Sequence, residues 1–451
     1  MNNNQLLPYW SNYVDSLSKE LWIPHKSLLS NIDSINSNKS WFSVQSWFNL
    51  DSSNKFISIP LIDNTPVIKA KKIRIYPNSQ QKNLFKQWLG TSRKVYNDTV
   101  NHLNLPKEIR EKHWMGAAKL ILNSLPDWAK SVPYQVKKIA VEDAYKAFSN
   151  GCKKAKLTGH PFELKFRTRK DTKQSCFIPS SALKKDGKLF NIYPTIVGKL
   201  KVSECLPSEF KDSRLICEHG RWFIMVPYKV LPQSIIQSND NQVSLDKIVA
   251  LDPGIRTFLT GFSVNNVFKI GEQDFSRIAR LTSHMDKLIS RISKAKGNSK
   301  QRMKKALGRM KHKVWDLIDE LHFQSINYLF KTYDVVLLPN FETSEMVVKS
   351  SRKIKSKTVR SMLTYNFFQF SQRLETKAKE LGKHIFRGSE AYTSKTASWT
   401  GEVKNISSAK TIKSNNIVMD RDINGARGIF LRALGDSPWT GLSSLAIGDN
   451  H

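Results

Sequence analysis

The sequence predicts an α/β protein in two parts: a small N-terminal β-barrel carrying a helical insertion, then a domain of helices around a buried sheet. Three observations lead there. Short runs of bulky residues recur between Phe162 and Tyr228, after a stretch with helical periodicity. Two later runs, Ile248-Val249-Ala250-Leu251 and Val335-Val336-Leu337-Leu338, are apolar throughout, as strands covered on both faces are. The first of them ends in Asp252 and a Pro-Gly turn, and a distant acid, Asp422, opens the last helical stretch.

Composition narrows the partners. The chain has 451 residues, 40% of them hydrophobic, enough for roughly two to four domains with a sizeable core. Its 72 basic and 38 acidic residues leave a net charge of +34. Such an excess repels itself unless a polyanion offsets it, and nucleic acid is the natural candidate. No run approaches the ~18 apolar residues of a membrane span, so no membrane partner is expected. The polar start Met1-Asn2-Asn3-Asn4-Gln5 is not that of a signal peptide. Cys152, Cys176, Cys205 and Cys217 fit neither a disulfide framework nor a common zinc spacing, and are expected as free thiols in an intracellular compartment.

The elements follow in order. Residues 1–66 are rich in Asn and Ser yet contain Trp10, Trp22, Trp41 and Trp47, which argues for a partly folded extension with no assigned role. Val67 to Ile75, including Arg74, is a basic strand that turns at Tyr76-Pro77-Asn78. Gln80 to Asn104 is a helix whose stripe is Leu84, Trp88, Val95 and Leu103, with Arg93 and Lys94 beside it. Residues 132–157 form a second helical element with a basic end. Pro161 to Lys170 alternates bulky and basic positions, which predicts a strand with Lys165, Arg167 and Arg169 turned toward phosphate. Residues 232–244 are a polar linker. Two long helices are expected over 276–330, with Met303, Leu307, Met310, Val314, Leu317 and Leu321 on one face. Residues 291–313 hold ten Lys or Arg and no acid. A charged helix face is ordinarily just solvated, but this density without a counter-charge favours nucleic-acid contact, with Lys304 and Lys305 at its centre. A helix over 359–381, a strand from His384 and a closing helix from Asn424 to Leu434 complete the chain. His113, His160 and His219 have no partner pattern and are read as structural.

The two acids carry the chemistry. Alone, Asp252 is a turn aspartate and Asp422 a helix-start acid. Together, a carboxylate ending a buried strand and another at a helix mouth are what RNase H-like nucleases bring around divalent metal. Such a pair of ions sits roughly 3.5–4 Å apart and stabilises both the attacking and the leaving oxygen of a phosphodiester.

Ordered motifs make the resemblance specific. Ile73-Arg74-Ile75-Tyr76-Pro77-Asn78 with Arg93-Lys94-Val95-Tyr96-Asn97, then Leu251-Asp252-Pro253-Gly254-Ile255-Arg256, Leu338-Pro339-Asn340-Phe341-Glu342, Thr393-Ser394-Lys395-Thr396 and Asp420-Arg421-Asp422-Ile423-Asn424 occur in sequence. Their order resembles the TnpB family of transposon-encoded RNA-guided nucleases, and most of all its eukaryotic and giant-virus branch, the Fanzor proteins. The resemblance covers about residues 70–435. It implies an α/β fold with an RNase H-like (RuvC) nuclease domain and an N-terminal β-barrel carrying a helical insertion. The expected organisation is an extension over 1–66, a wedge-like barrel over 67–231 with a helical recognition insertion at about 80–157, and a linker at 232–244. A RuvC-like domain over 245–435 follows, with a degenerate zinc finger at about 393–418, and a tail over 436–451.

It also implies Mg²⁺-dependent cleavage of target double-stranded DNA by a monomeric ribonucleoprotein, with a guide RNA from the transposon end. The compartment would be the nucleus for a eukaryotic or giant-virus protein and the cytoplasm otherwise. Two Mg²⁺ ions would lie on Asp252, Glu390 and Asp422. Arg74, Arg93, Lys94, Lys165, Arg167, Arg169, Lys304 and Lys305 would meet nucleic acid. The family pattern Asp-x-Asn selects Asp422 over Asp420, with Asn424 as the helix cap. Two departures stand out. Pro339 occupies the place of the family's usual second acid, so a displaced Glu is expected, Glu390 or else Glu342. The four zinc cysteines are absent, Ala397-Ser398-Trp399-Thr400 standing where the first pair would be, so no structural Zn²⁺ is expected. These departures leave a nuclease-inactive RNA-guided DNA binder as the alternative.

Overall fold

The computed structural model describes residues 44–46, 56–58, 65–187, 189–232, 242–272, 275–341, 343–350, 352, 354–388, 393–404 and 409–435. The chain divides into two compact units: residues 68–230 with 304–309, and residues 1–67, 231–303 and 310–451. The expected roles of most of residues 1–66 and of 436–451 lie outside the described residues.

Two short strands come first, β1 (Val44–Ser46) and β2 (Phe56–Ser58). They belong with the later unit: the chain from Ile68 onward builds the other one. There, β3 (Val67–Tyr76) leads into helices α1 (Ser79–Leu103), α2 (Trp114–Asn123), α3 (Asp127–Lys130) and α4 (Tyr134–Thr158). The strands β4 (Lys173–Ile178), β5 (Leu183–Asp186) and β6 (Leu189–Ile192) come next, then a one-turn helix α5 (Pro194–Val197), β7 (Lys201–Val202), β8 (Ser213–Glu218) and β9 (Arg221–Val230).

α1 starts where the sequence places it, for a visible reason. Asn78 Oδ1 accepts the Gln81 amide at 2.9 Å, and Gln81 Oε1 accepts the Asn78 amide at 2.9 Å, a reciprocal capping box. The buried face of the helix then runs through Phe85, Trp88, Val95 and Val100. Five strands form one sheet in the order β4-β8-β9-β3-β7, and β5 pairs with β6 separately. Among the described residues β4 and β7 are its two edges, so the ladder is an open sheet plus a hairpin. Both share one core with α1, built on Ile73, Phe85, Trp88, Phe190, Leu215 and Ile224.

One expected strand is not there. Residues 161–168 belong to no helix or strand, and residues 169–170 form a turn. Asn97 of α1 satisfies that backbone instead: its Oδ1 accepts the Arg167 amide at 2.8 Å and its Nδ2 donates to the Arg167 carbonyl at 2.9 Å. Alternation of bulky and basic residues is a real strand signal, but here a helix side chain supplies the hydrogen bonds a neighbouring strand would have made.

The second unit continues with β10 (Gln242–Ser244), β11 (Ile248–Pro253), β12 (Leu259–Phe262) and β13 (Val267–Ile270). Two long helices follow, α6 (Phe275–Lys294) and α7 (Gly297–Thr332), then β14 (Val335–Pro339) and a one-turn helix α8 (Thr343–Met346). The described residues end in α9 (Ser356–Tyr365), α10 (Phe367–Leu381), β15 (His384–Gly388), the hairpin β16 (Thr411–Ser414) and β17 (Ile417–Asp420), and α11 (Arg421–Gly435). The single helix expected over 359–381 is two. Asn366 breaks it with φ 53°, a left-handed conformation that Asn adopts more readily than most residues.

Six strands make one sheet in the order β1-β13-β12-β11-β14-β15. β11, β12 and β13 form an antiparallel meander, whereas β14 runs parallel to β11 and β15 parallel to β14. Every residue of β14 is buried, and all of β11 but Asp252. One face carries Ile248, Ala250 and Phe262 against Ile423, Ala426 and Phe430 of α11. Coverage of both faces is why these strands read as unbroken apolar runs.

Candidate functional site

β11 delivers Asp252 to the end of the sheet. Side chains alternate along a strand, so Asp252 points to the same face as Ile248 and Ala250, the face α11 covers. Gly425 leaves the room: a Cβ there would overlap the Asp252 carboxylate, with Cγ only 3.3 Å away, and would come within 3.6 Å of Ser394 Oγ. Asp422 lies three residues earlier on the same helix, where neighbouring Cβ atoms are about 5–6 Å apart. Asp252 and Asp422 line one cavity of about 520 Å³, together with Gly254, Thr260, Ser394, Lys395 and Arg421. The structure thus brings two sequence-distant acids to a single opening.

Asp420 and Asp422, two residues apart, have different work. Asp420 Oδ1 accepts the backbone amides of Asp422 at 2.9 Å and Ile423 at 3.2 Å, which makes Asp420 the cap of α11. Its other oxygen meets Lys269 Nζ at 2.8 Å. Asp422 faces the cavity, and burial followed by the neighbouring Asp420 charge pushes its carboxyl above the ordinary range, with Lys269 and Arg421 pulling the other way. A carboxylate held in an unfavourable setting of that kind is relieved by a cation. Burial alone would lower the Lys269 ammonium, but the carboxylates of Asp420, Glu272 and Asp422 together offset it and the net shift is upward.

Asn424 is not the cap expected of it. It is fully buried inside α11, donates to the carbonyls of Thr393 (3.3 Å) and Thr396 (2.8 Å), and accepts the Ser398 amide at 2.9 Å. Arg427, one turn on, donates to the Ser398 carbonyl at 2.6 Å and its hydroxyl at 2.9 Å. The two side chains clamp residues 393–398 to the helix, which is how Ser394 and Lys395 come to the cavity wall. The Asp-x-Asn pattern was readable, but the role of its Asn depends on a loop some thirty residues earlier in the chain.

The two candidates for a displaced acid, Glu390 and Glu342, lie outside the described residues. The flanking backbone is described. Pro339 pairs with Gly388, and Ala250 with Leu337, so the ends of β11, β14 and β15 are level with one another. The donors present fit Mg²⁺: hard carboxylate oxygens at an open cavity, with room for the water that this ion keeps.

The segment expected as a zinc finger offers neither of the ligand types that build structural zinc sites. No Cys or His occurs between residues 385 and 450. The turn at Ala397 closes through the Gly401 amide on the Ala397 carbonyl at 2.8 Å, with Gly401 at φ 73°. The β16–β17 hairpin turns at Asn415 and Asn416, both left-handed. Ser414 ties the two turns: its hydroxyl meets Thr400 Oγ1 at 3.0 Å and Glu402 at 2.6 Å, and its carbonyl accepts Trp399 Nε1 at 3.1 Å. Ala397 and Ile412 join the hydrophobic core.

The expected nucleic-acid residues divide by environment. Lys165, Arg169, Lys304 and Lys305 are exposed. Arg93 donates to Gln174 at 2.8 Å, Lys94 pairs with Asp98 at 2.9 Å, and the Arg167 guanidinium stacks 3.7 Å from the Tyr96 ring. Arg74 is half-buried over Tyr76. Lys82 and Lys86, which sequence reasoning passed over, share a groove of about 1150 Å³ with Arg93, Lys94, Arg169 and the half-exposed Trp128. Their 3–4 spacing along α1 was the available signal.

Comparison with known proteins places the chain. The helix-turn-helix domain family matches residues 65–104, and the Cas12f1-like TNB domain family matches residues 367–429. Putative transposase A625R of Paramecium bursaria Chlorella virus 1 is 28% identical, over 82% of this chain and 87% of its own length. TnpB-like protein L79 of Acanthamoeba polyphaga mimivirus is 25% identical over 87% of this chain and 77% of its own. Putative RNA-guided DNA endonuclease InsQ of Escherichia coli is 20% identical over 80% and 92%. Among solved structures, the Cas12f1–sgRNA–target DNA complex aligns with a TM-score of 0.48 and 11% identity, over 84% of this chain and 100% of that one. The relatives define a class of transposon-associated proteins of transposase and endonuclease type. Within that class, the two domain matches and the TnpB-like relatives make the chain similar to the TnpB family over most of its length.

Proposed function

We propose that the chain is an RNA-guided DNA endonuclease of a transposable element, with an RNase H-like (RuvC) nuclease core. The convergence of Asp252 and Asp422 on one cavity carries this reading. The antiparallel meander extended by two parallel strands, all ending at one level, supports the RNase H-like assignment. Asp252, Asp422 and a displaced acid, Glu390 or else Glu342, would hold two Mg²⁺. The chemistry such ions would supply there is activation of a water and stabilisation of the leaving oxygen. The chain's own residues do the rest. Asp420 fixes the start of α11, the Asn424–Arg427 clamp fixes the loop, and Lys395 and Arg421 set cations on the cavity wall to receive a phosphodiester. The InsQ relative bears the name of a putative RNA-guided DNA endonuclease, and the +34 charge suits a guide RNA and duplex DNA together. Exposed Lys165, Arg169, Lys304 and Lys305 would contact phosphate, in a monomeric ribonucleoprotein. The finger would hold its shape without Zn²⁺, through Ser414 and the buried Ala397 and Ile412. One equivalent of zinc in the purified protein would overturn that point.

The test is to sequence the RNA that copurifies, then offer the complex a matched DNA target. Cleavage is expected to require Mg²⁺, and Asp252→Ala should lower it more than about a hundredfold while RNA stays bound. An Asp252→Ala protein that cuts like the wild type would remove the site. Pro339, standing where the family's usual acid would be, favours a second reading, a guided binder without cleavage. Tight target binding with no Mg²⁺-dependent product would select it.

A further inference from the structure

We propose that Lys269 and Asp420 are a positioning pair that sets where Asp422 stands in the cavity. Sheet register gives the first half of the argument. Asp252 on β11 pairs with Thr260 on β12, and Thr260 pairs with Lys269 on β13. Directly opposed residues share a face, so the three side chains form one row toward α11, spanning two strand spacings, roughly 10 Å. Thr260 and Asp252 line the cavity. Lys269, at the far end of the row, is buried, its side chain 6% exposed.

The second half is at the helix. Asp420 spends one oxygen on the amides of Asp422 and Ile423 in the first turn of α11 and the other on Lys269 at 2.8 Å. Glu272 stands behind the lysine at 3.4 Å. α11 is therefore fastened to this row at two points: its first turn through Asp420 on Lys269, and its next turn through Gly425 seated on the Asp252 carboxylate. Asp422 lies between them. Loss of Lys269 takes from the half-buried Asp420 its ion pair, loss of Asp420 takes from the buried Lys269 the nearer of its two carboxylates, and either frees the first turn to shift. Partners that orient metal ligands change metal affinity or activity by about 10–100-fold when lost.

The inference rests on the nuclease reading, and the experiment separates the two. Mn²⁺ affinity is measured by titration calorimetry on the ribonucleoprotein of the wild type, Asp420→Asn, Lys269→Met, Lys269→Arg and the Lys269→Met/Asp420→Asn double variant. The Mg²⁺ concentration for half-maximal cleavage and the melting temperature are recorded alongside. Each charge-removing single variant is expected to weaken Mn²⁺ binding and raise the Mg²⁺ requirement by about tenfold or more. Lys269→Arg should lie nearer the wild type, and the double variant should be no worse than the worse single one, since the two groups act as a unit. Asp420→Asn keeps a capping oxygen and is the decisive variant if Lys269→Met does not fold. Asp420→Asn with unchanged Mn²⁺ affinity and Mg²⁺ requirement, beside an inactive Asp252→Ala, overturns the positioning pair alone. Cleavage by Asp252→Ala overturns the nuclease reading first.

Discussion

The two units of the chain use charge in opposite ways. In the unit around β11, a few carboxylates sit half-buried, and oxygens two residues apart do different things: Asp420 caps and pairs, while Asp422 faces the cavity. In the unit of residues 68–230, exposed cations such as Lys165 and Arg169 project from a turn and the irregular segment before it, and others, such as Arg167 on Tyr96, are absorbed into packing. The first arrangement depends on geometry to a fraction of an ångström. The second depends on the sum of many weak phosphate contacts, each replaceable.

That contrast can be broken at Gly425. Gly425→Ala puts a methyl group into the Asp252 carboxylate. Cleavage should fall by about 10–100-fold, the range for lost support of a metal ligand, with about 1–3 kcal/mol lost from stability. Single-turnover cleavage and thermal melting check both, and near-normal cleavage would mean that the close approach is incidental. On the other side of the contrast, Lys165→Ala or Arg169→Ala should weaken nucleic-acid binding only several-fold. Each should flatten the dependence of log affinity on log salt by about one unit and leave melting unchanged. A collapse of binding from one such change would make that residue a specific reader rather than one phosphate contact among many.

The smallest expected effect tests the core behind the site. His322 is buried beside Phe258, with Nε2 bonded to the Tyr365 carbonyl at 2.9 Å and Arg373 donating to Nδ1 at 3.0 Å. Burial, reinforced by Arg373, lowers its pKa to about 3. The unfolded chain takes up that proton near pH 6.5 while the folded one resists until about 3. Stability is therefore fully present above about 6.5 and drains away as pH falls toward 3. His322→Gln should flatten this part of the stability profile in denaturant titrations between pH 7 and 4. An unchanged slope would assign the acid sensitivity elsewhere.

Much of the architecture was legible because local signals were strong. The capping box at Asn78 and Gln81 starts α1 where the periodicity begins, and the unbroken apolar runs around Val249 and Val336 are the doubly covered strands. Misreadings fell where a distant partner decided the outcome. Residues 161–168 look like a strand until Asn97 claims their backbone. The stretch 359–381 looks continuous until Asn366 turns left-handed. Lys82 and Lys86 were passed over because a helix face of lysines is unremarkable until a groove forms beside it.

By itself, the sequence determined which groups can do chemistry here: oxygen ligands and a large positive charge, with no thiolates near the finger. It also determined the strands and helices that carry them, because burial periodicity and capping act over a few residues. Only the tertiary structure decided that Asp252 and Asp422 share a cavity, that Asp420 caps the helix, and that Asn424 grips a loop. Those assignments depend on which strand lies beside which and how α11 settles on them. Contacts across more than a hundred residues of chain, such as Lys269 with Asp420, leave no local trace in the order of amino acids.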